Sequence, residues 1–305
     1  MRKGMKGWML AALVLILVGC GLMGASWRRV VAQEESAYTQ KEFACAADAV
    51  TAIAVDGFVG EVSISPVEGD EVILHWYDGE QQKWNVRLED GVMKADCMDE
   101  KNWVFQIGVR LSDKNFDRLS IGLPEGIVPE GMLKATTGKI SCQGVRFSTL
   151  TAECSTGGIA LENVDVSVDV RLNATTGAIQ LADVRAGDME AIASTGSVKL
   201  RSVSAEELTV KLTTGLVQLE DVTARKIGAT ASTGDIRMEH VSADAFELRT
   251  TTGGIDGSIN QAMKEFTIDS DTATGDNNLP KHMASGEKTL FASTLTGSIH
   301  ILFAE

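Results

Sequence analysis

The residues best suited to chemistry in this 305-residue chain are five cysteines and four histidines. Thiolates and imidazoles hold metals or act as nucleophiles only when spacing brings them together. His75, His240, His282 and His300 are scattered, with no H-E-x-x-H, and no C-x-x-C joins the cysteines. There is also no G-x-S-x-G elbow, no phosphate-binding loop and no dinucleotide fingerprint. The sequence therefore offers no catalytic, cofactor or metal site. Four cysteines, Cys45, Cys97, Cys142 and Cys154, lie beyond the N-terminal apolar segment and permit three pairings. Cys45 and Cys97 are candidates for a disulfide. Cys142 and Cys154 occupy positions held elsewhere by Leu, Met or Ala, which makes them buried thiols acting as small apolar residues. The fifth, Cys20, ends Leu17-Val18-Gly19-Cys20, a lipobox-like run in which it would be lipidated.

The elements that position these residues come from a repeat. Glycines closing a T-G pair fall at Gly138, Gly157, Gly177, Gly196, Gly215, Gly234, Gly253, Gly275 and Gly297, spaced 19 to 22 residues apart. Two residues past the glycine stands Ile140, Ile159, Ile179, Val198, Val217, Ile236 or Ile255, and four past it Cys142, Leu161, Leu181, Leu200, Leu219 or Met238. A valine column follows at Val145, Val164, Val184, Val203, Val222 and Val241. Every second residue faces inward, which is strand periodicity. One coil of this length has a perimeter of about 60 Å, enough for two or three short strands around one layer of side chains. The pattern predicts an all-β, single-stranded parallel β-solenoid with 19–22-residue coils, stacked into a rod of roughly 40 Å.

Glycine supplies the corner in each coil. The Thr before it (Thr137, Thr156, Thr176, Thr195 and onward) is expected to form a hydroxyl ladder bonded to corner backbone groups. The Thr/Ser column beside it faces water. A flat hydroxyl array suits ice or sugar, but Ser enters this column as freely as Thr. Asn163, Asp183 and Asp221 form a corner column of oxygen donors, interrupted by Ser202 and His240, and this is not read as a metal site.

The formal net charge is −14. Arg2, Lys3, Lys6, Arg28 and Arg29 all precede the first acid, Glu34, so the remainder is more acidic still, which excludes nucleic acid as a partner. Trp8 to Trp27 is uncharged, about 30 Å long as a helix, with a Trp at each interface. It predicts one N-terminal transmembrane helix, with the bulk of the chain extracytoplasmic. Lipidation at Cys20 and cleavage after Val30-Val31-Ala32 are the alternatives. The organisation expected is a cytoplasmic tail at 1–7, the anchor at 8–27, a linker at 28–44, an irregular N-terminal β cap with degenerate coils at 45–134, and solenoid repeats at 135–305. The divergent last two coils, with DNNLPKHMASGEK, read as the opposite end's closure.

A polysaccharide-acting β-helix enzyme would group carboxylates with Arg or Lys on one outer sheet. Here Lys139, Arg171, Lys199, Arg201, Lys211 and Arg237 are spread over several columns. With its apolar N-terminal segment, the phrase RLSIGLPEGIVPEGMLKATTGKISC at Arg118 to Cys142 and the recurring T/S-T-G-x-I/V-x-L, the chain resembles a bacterial domain-of-unknown-function family labelled a candidate adhesin, made of membrane-anchored β-strand repeat proteins. The resemblance implies a cell-surface, non-enzymatic module whose partner is a protein or a surface glycan. A few relatives in envelope-stress operons imply an alternative, a sensor or scaffold working with membrane regulators. The resemblance brings no catalytic residues. Outward columns lacking an aromatic strip weaken sugar stacking and favour a protein partner.

Overall fold

The computed structural model describes residues 38–79, 82–99 and 118–305. The expected cytoplasmic tail, the span 8–27 with Cys20, and the linker as far as residue 37 lie outside the described residues. Among the described residues no helix is long and apolar enough to cross a membrane.

The chain is all-β, a solenoid whose strands join one long, open, mostly parallel sheet. Its regular part comprises β7 (Glu130–Gln143), β8 (Arg146–Phe147), β9 (Leu150–Val166), β10 (Asp169–Arg185), β11 (Asp188–Glu220), β12 (Thr223–Thr233), β13 (Ile236–Val241), β14 (Ala245–Thr252) and β15 (Ile255–Ala262). Like residues stack on like. Ile140 sits beside Ile159, Ile159 beside Ile179, and Ile179 beside Val198. These side chains are 0–1% exposed, and so are Val217, Ile236, Ile255 and Ile299 in the same column. Each contributes roughly 1.5–3 kcal/mol by leaving water, so the repeat is a column of similar, independently favourable burials.

Two kinds of corner turn each coil. At the T-G corner, Gly157, Gly177 and Gly196 have φ of +134°, +146° and +143°. A Cβ on Gly177 would lie 1.2 Å from the carbonyl oxygen of Gly157, so backbone sits on backbone and no side chain fits. Four residues after the first inward Ile or Val comes the second corner, at Gly144, Asn163, Asp183, Ser202, Asp221 and His240, with φ between +52° and +65°. This left-handed conformation tolerates Gly, Asn and Asp best. The column of oxygen donors is thereby explained as backbone geometry.

The threonine ladder is corrected by the structure. Thr137, Thr156, Thr176 and Thr195 are exposed, because strict in-out alternation lapses at the corner and both residues before the glycine point outward. The side chains that reach corner carbonyls stand three residues before the glycine. The hydroxyl of Thr250 donates to Gly234 O (3.0 Å), that of Thr294 to Gly253 O (3.0 Å) and that of Thr272 to Gly297 O (2.9 Å), while the Cys154 thiol points at Gly138 O (3.5 Å).

Toward the N-terminus the ladder continues into β2 (Ala52–Val67), which lies parallel to β7 with Gly60 beside Gly138. Antiparallel pairs finish this end: β1 (Thr39–Ala46) on β3 (Glu71–Asp78), β3 on β6 (Arg118–Pro124), and β4 (Gln82–Glu89) on β5 (Val92–Asp99). Reversed pairing breaks the rung pattern that another parallel edge would extend.

The C-terminal end departs from sequential stacking. It contains β16 (Phe266–Thr274), β17 (His282–Met283), β18 (Lys288–Thr296) and β19 (Ile299–Ala304). β14 pairs with β18, not with β16, and β16 then pairs with the far side of β18. The spatial order of corner glycines is therefore Gly253, Gly297, Gly275. The last coil in sequence is the penultimate rung, and the coil before it forms the end. The loop after Gly275 makes this arrangement favourable by blocking the outermost edge. β17 pairs antiparallel with Ile268 and Asp269, Ser270 Oγ donates to Pro280 O (2.9 Å), and Asn277 Nδ2 donates to Ser270 Oγ (2.9 Å).

Candidate binding surface

The interior holds little that could react. The buried polar residues among the described ones are Thr250, Ser270 and Thr294, each with its hydroxyl hydrogen-bonded. Cys142 is fully buried, and burial pushes its thiol up to about 12. Burial also raises Cys154, against a backbone hydrogen bond that lowers it. Neither thiol is poised as a nucleophile. Cys45 on β1 and Cys97 on β5 are both partly buried. Burial raises the Cys45 thiol, and the Glu71 carboxylate raises it further. Among the described residues, no cluster of three or more His, Cys, Asp or Glu side chains could hold a metal ion. In the corner column, His240 Nδ1 lies 3.4 Å from Asp221 Oδ1, an exposed pair.

The outer wall carries the charge. Four arginines pair with an acid two residues away in sequence: Arg171 with Asp169 (3.0 Å), Arg237 with Asp235 (3.1 Å), Arg249 with Glu247 (3.0 Å) and Arg87 with Glu89 (2.9 Å). Other pairs cross rungs, such as Lys211 with Glu190 (2.9 Å), Lys134 with Glu153 (3.5 Å) and Arg185 with Asp165 (3.4 Å). Strand alternation produces both arrangements, because residues i and i+2 share a face and neighbouring rungs bring like columns together. All are exposed or half-exposed, and each contributes at most about 1 kcal/mol.

On the wall after the T-G corner lies a shallow trough of about 390 Å³. Ala160 and Glu162 line one rung, Gln180 and Ala182 the next, and Lys199 and Arg201 the third. Gln218 and Glu220 follow, on the coil whose Gly215 stacks over Gly196. The sequence placed Lys199 and Arg201 among scattered outward bases. The structure brings these two together while Lys139, Arg171, Lys211 and Arg237 stay outside the trough.

The toastrack DUF4097 family model matches residues 50–298. Among curated proteins none matches the chain. Solved structures similar to it include a candidate adhesin from Bacteroides fragilis, at 14% identity and a TM-score of 0.43, covering 87% of this chain and 97% of the other. A candidate adhesin from Parabacteroides merdae shares 12% identity with a TM-score of 0.40, covering 87% and 96%. A candidate cell adhesion protein from Clostridium sporogenes shares 13% identity with a TM-score of 0.26, covering 88% and 100%.

Proposed function

The chain belongs to the toastrack DUF4097 family, and from that premise we propose that it is a non-enzymatic, adhesin-like binding module of the bacterial envelope, tethered by its N-terminal segment and engaging a partner protein along its outer wall. One observation carries the reading. Apolar columns fill the interior, while the polar side chains stand outside on a lattice set by the rung register. Such a wall offers many weak contacts at fixed spacing, which sum along a partner. The tether rests on the apolar run Trp8 to Trp27.

Crosslinking in intact cells followed by affinity capture of the full chain tests this reading. Recovery of a discrete envelope or host protein supports it, and recovery of membrane regulators alone favours the sensor alternative. Turnover of any member of a polysaccharide panel overturns it. Mass spectrometry of the mature N-terminus identifies the tether: an intact Met1 end supports a spanning helix, lipid on Cys20 a lipoprotein, and a start after Ala32 a released chain.

A further inference from the structure

We propose that the trough around Lys199 and Arg201 is the docking subsite of that outer wall, and that it takes an extended polypeptide segment presenting two adjacent carboxylates between single cations. The inference rests on the partner-protein reading above and specifies it.

The first argument is a contrast in local charge. Arg171, Arg237 and Arg249 each have an acid two residues before them and bond to it. Two residues before Arg201 stands Lys199, so the position that neutralises those three arginines adds a second positive charge here. Neither the Lys199 nor the Arg201 side chain makes a hydrogen bond or ion pair among the described residues, and both are exposed. Like charges two residues apart on one face repel, and the fold gains nothing from that repulsion.

The second argument is shape and pattern. Ala160 and Ala182 are small, so the trough has a floor between taller side chains. Along the rod, the charges on successive rungs read negative at Glu162, neutral at Gln180 and Ala182, doubly positive at Lys199 and Arg201, then negative at Glu220. Four rungs span about 14 Å, the length of roughly four extended residues. Arg201 offers a planar fork for a carboxylate and Lys199 a point charge beside it. Gln180 and Gln218 place amides on either side of Lys199, where they can exchange hydrogen bonds with a peptide backbone. The trough has no aromatic platform for a sugar ring, which favours polypeptide over glycan. In a chain of net charge −14, the rest of the surface repels an acidic segment, so the doubly positive rung also supplies selectivity.

The test uses fluorescence anisotropy with the whole chain. The probes are a peptide with two adjacent glutamates between single lysines, its charge-inverted counterpart, and polygalacturonate. The acid-centred peptide is expected to bind about tenfold more tightly than the inverted one at low salt, and to lose that preference as ionic strength rises. The double variant Lys199→Ala/Arg201→Ala abolishes the preference while leaving the thermal melt in place, because both side chains are exposed. Equal binding of the two peptides, or an unchanged preference in the double variant, overturns the proposal. Preferential binding of polygalacturonate overturns the choice of a polypeptide. If the double variant captures the same cellular partner as the wild type, this subsite is wrong and the partner-binding reading stands. If the wild type captures none, that reading itself fails.

Discussion

Asn278 holds Ile301 as a neighbouring strand would. Its Oδ1 accepts from the Ile301 N–H (3.0 Å) and its Nδ2 donates to the Ile301 carbonyl (2.9 Å), so one side-chain amide closes part of the free edge of β19. Gln261 treats Ala243 in the same way, with distances of 3.2 and 3.0 Å. Asn278→Ala leaves both Ile301 groups to water and is expected to cost about 1–3 kcal/mol. It also bares a strand edge. Denaturant titration reads the first effect and light scattering on mild heating the second. An unchanged midpoint with no added scattering would show that the amide contributes nothing to closure.

The swapped order of the last rungs makes a distinctive prediction for truncation. β18 supplies the partner that β16 needs, and Lys288 Nζ ties to Glu265 (2.9 Å) across them. A chain ending at residue 287 keeps all of β16 but removes the rung between it and β14. The amides of Phe266 and Ile268 are then expected to lose hydrogen-exchange protection, although they remain in the chain. Retained protection would mean that β16 can dock directly on β14, and that the observed order is one of two equivalent packings.

The corners differ in what they tolerate. In Gly196→Ala the new Cβ would lie 1.8 Å from Gly177 O at a φ of +143°, so strain and clash combine. A loss above about 3 kcal/mol is expected, more than strained dihedrals alone usually cost. Asp183→Val at φ +55° has only the dihedral penalty, about 1–2 kcal/mol, and Asp183→Gly is neutral or stabilising. Equilibrium unfolding of the three variants orders them. A Gly196→Ala protein as stable as Asp183→Val would contradict the close backbone stacking at the T-G corner.

The columns around Ile179 and Leu181 and the corner glycines are legible in the sequence because few residue types satisfy either full burial or a φ near +140°. The exchange of the Gly275 and Gly297 rungs is not, since every rung offers the same inward pattern and any two make acceptable neighbours. Asp183 and Asp221 illustrate an ambiguity of residue type. Asp serves both as an oxygen ligand and as a left-handed corner, and only the dihedral separates the two uses. Thr156 was misleading for a related reason: alternation predicts one of two successive residues inside, and the corner turns both outward. For Lys199 and Arg201 the charges are visible in the sequence. Their lack of partners depends on what the adjacent rungs place beside them.

Cys142 ties stability to pH. Its thiol is raised from an ordinary value of 9.0 to about 12 by burial alone, so the folded chain keeps a proton that the unfolded chain releases. Stability from this group is fully present below pH 9 and is lost as pH rises through the window from 9 to about 12. With about 1.4 kcal/mol for each pH unit, the whole window corresponds to about 4 kcal/mol. Lysines and tyrosines titrate in the same range, so the informative quantity is a difference. The denaturation free energy of Cys142→Ala should fall less steeply with pH than that of the wild type, even though the variant starts less stable from the cavity it creates. The thiol should also resist alkylation at pH 8 until denaturant is added. Parallel pH profiles, or rapid alkylation of the folded chain, would place Cys142 in contact with water and contradict its position among the inward columns.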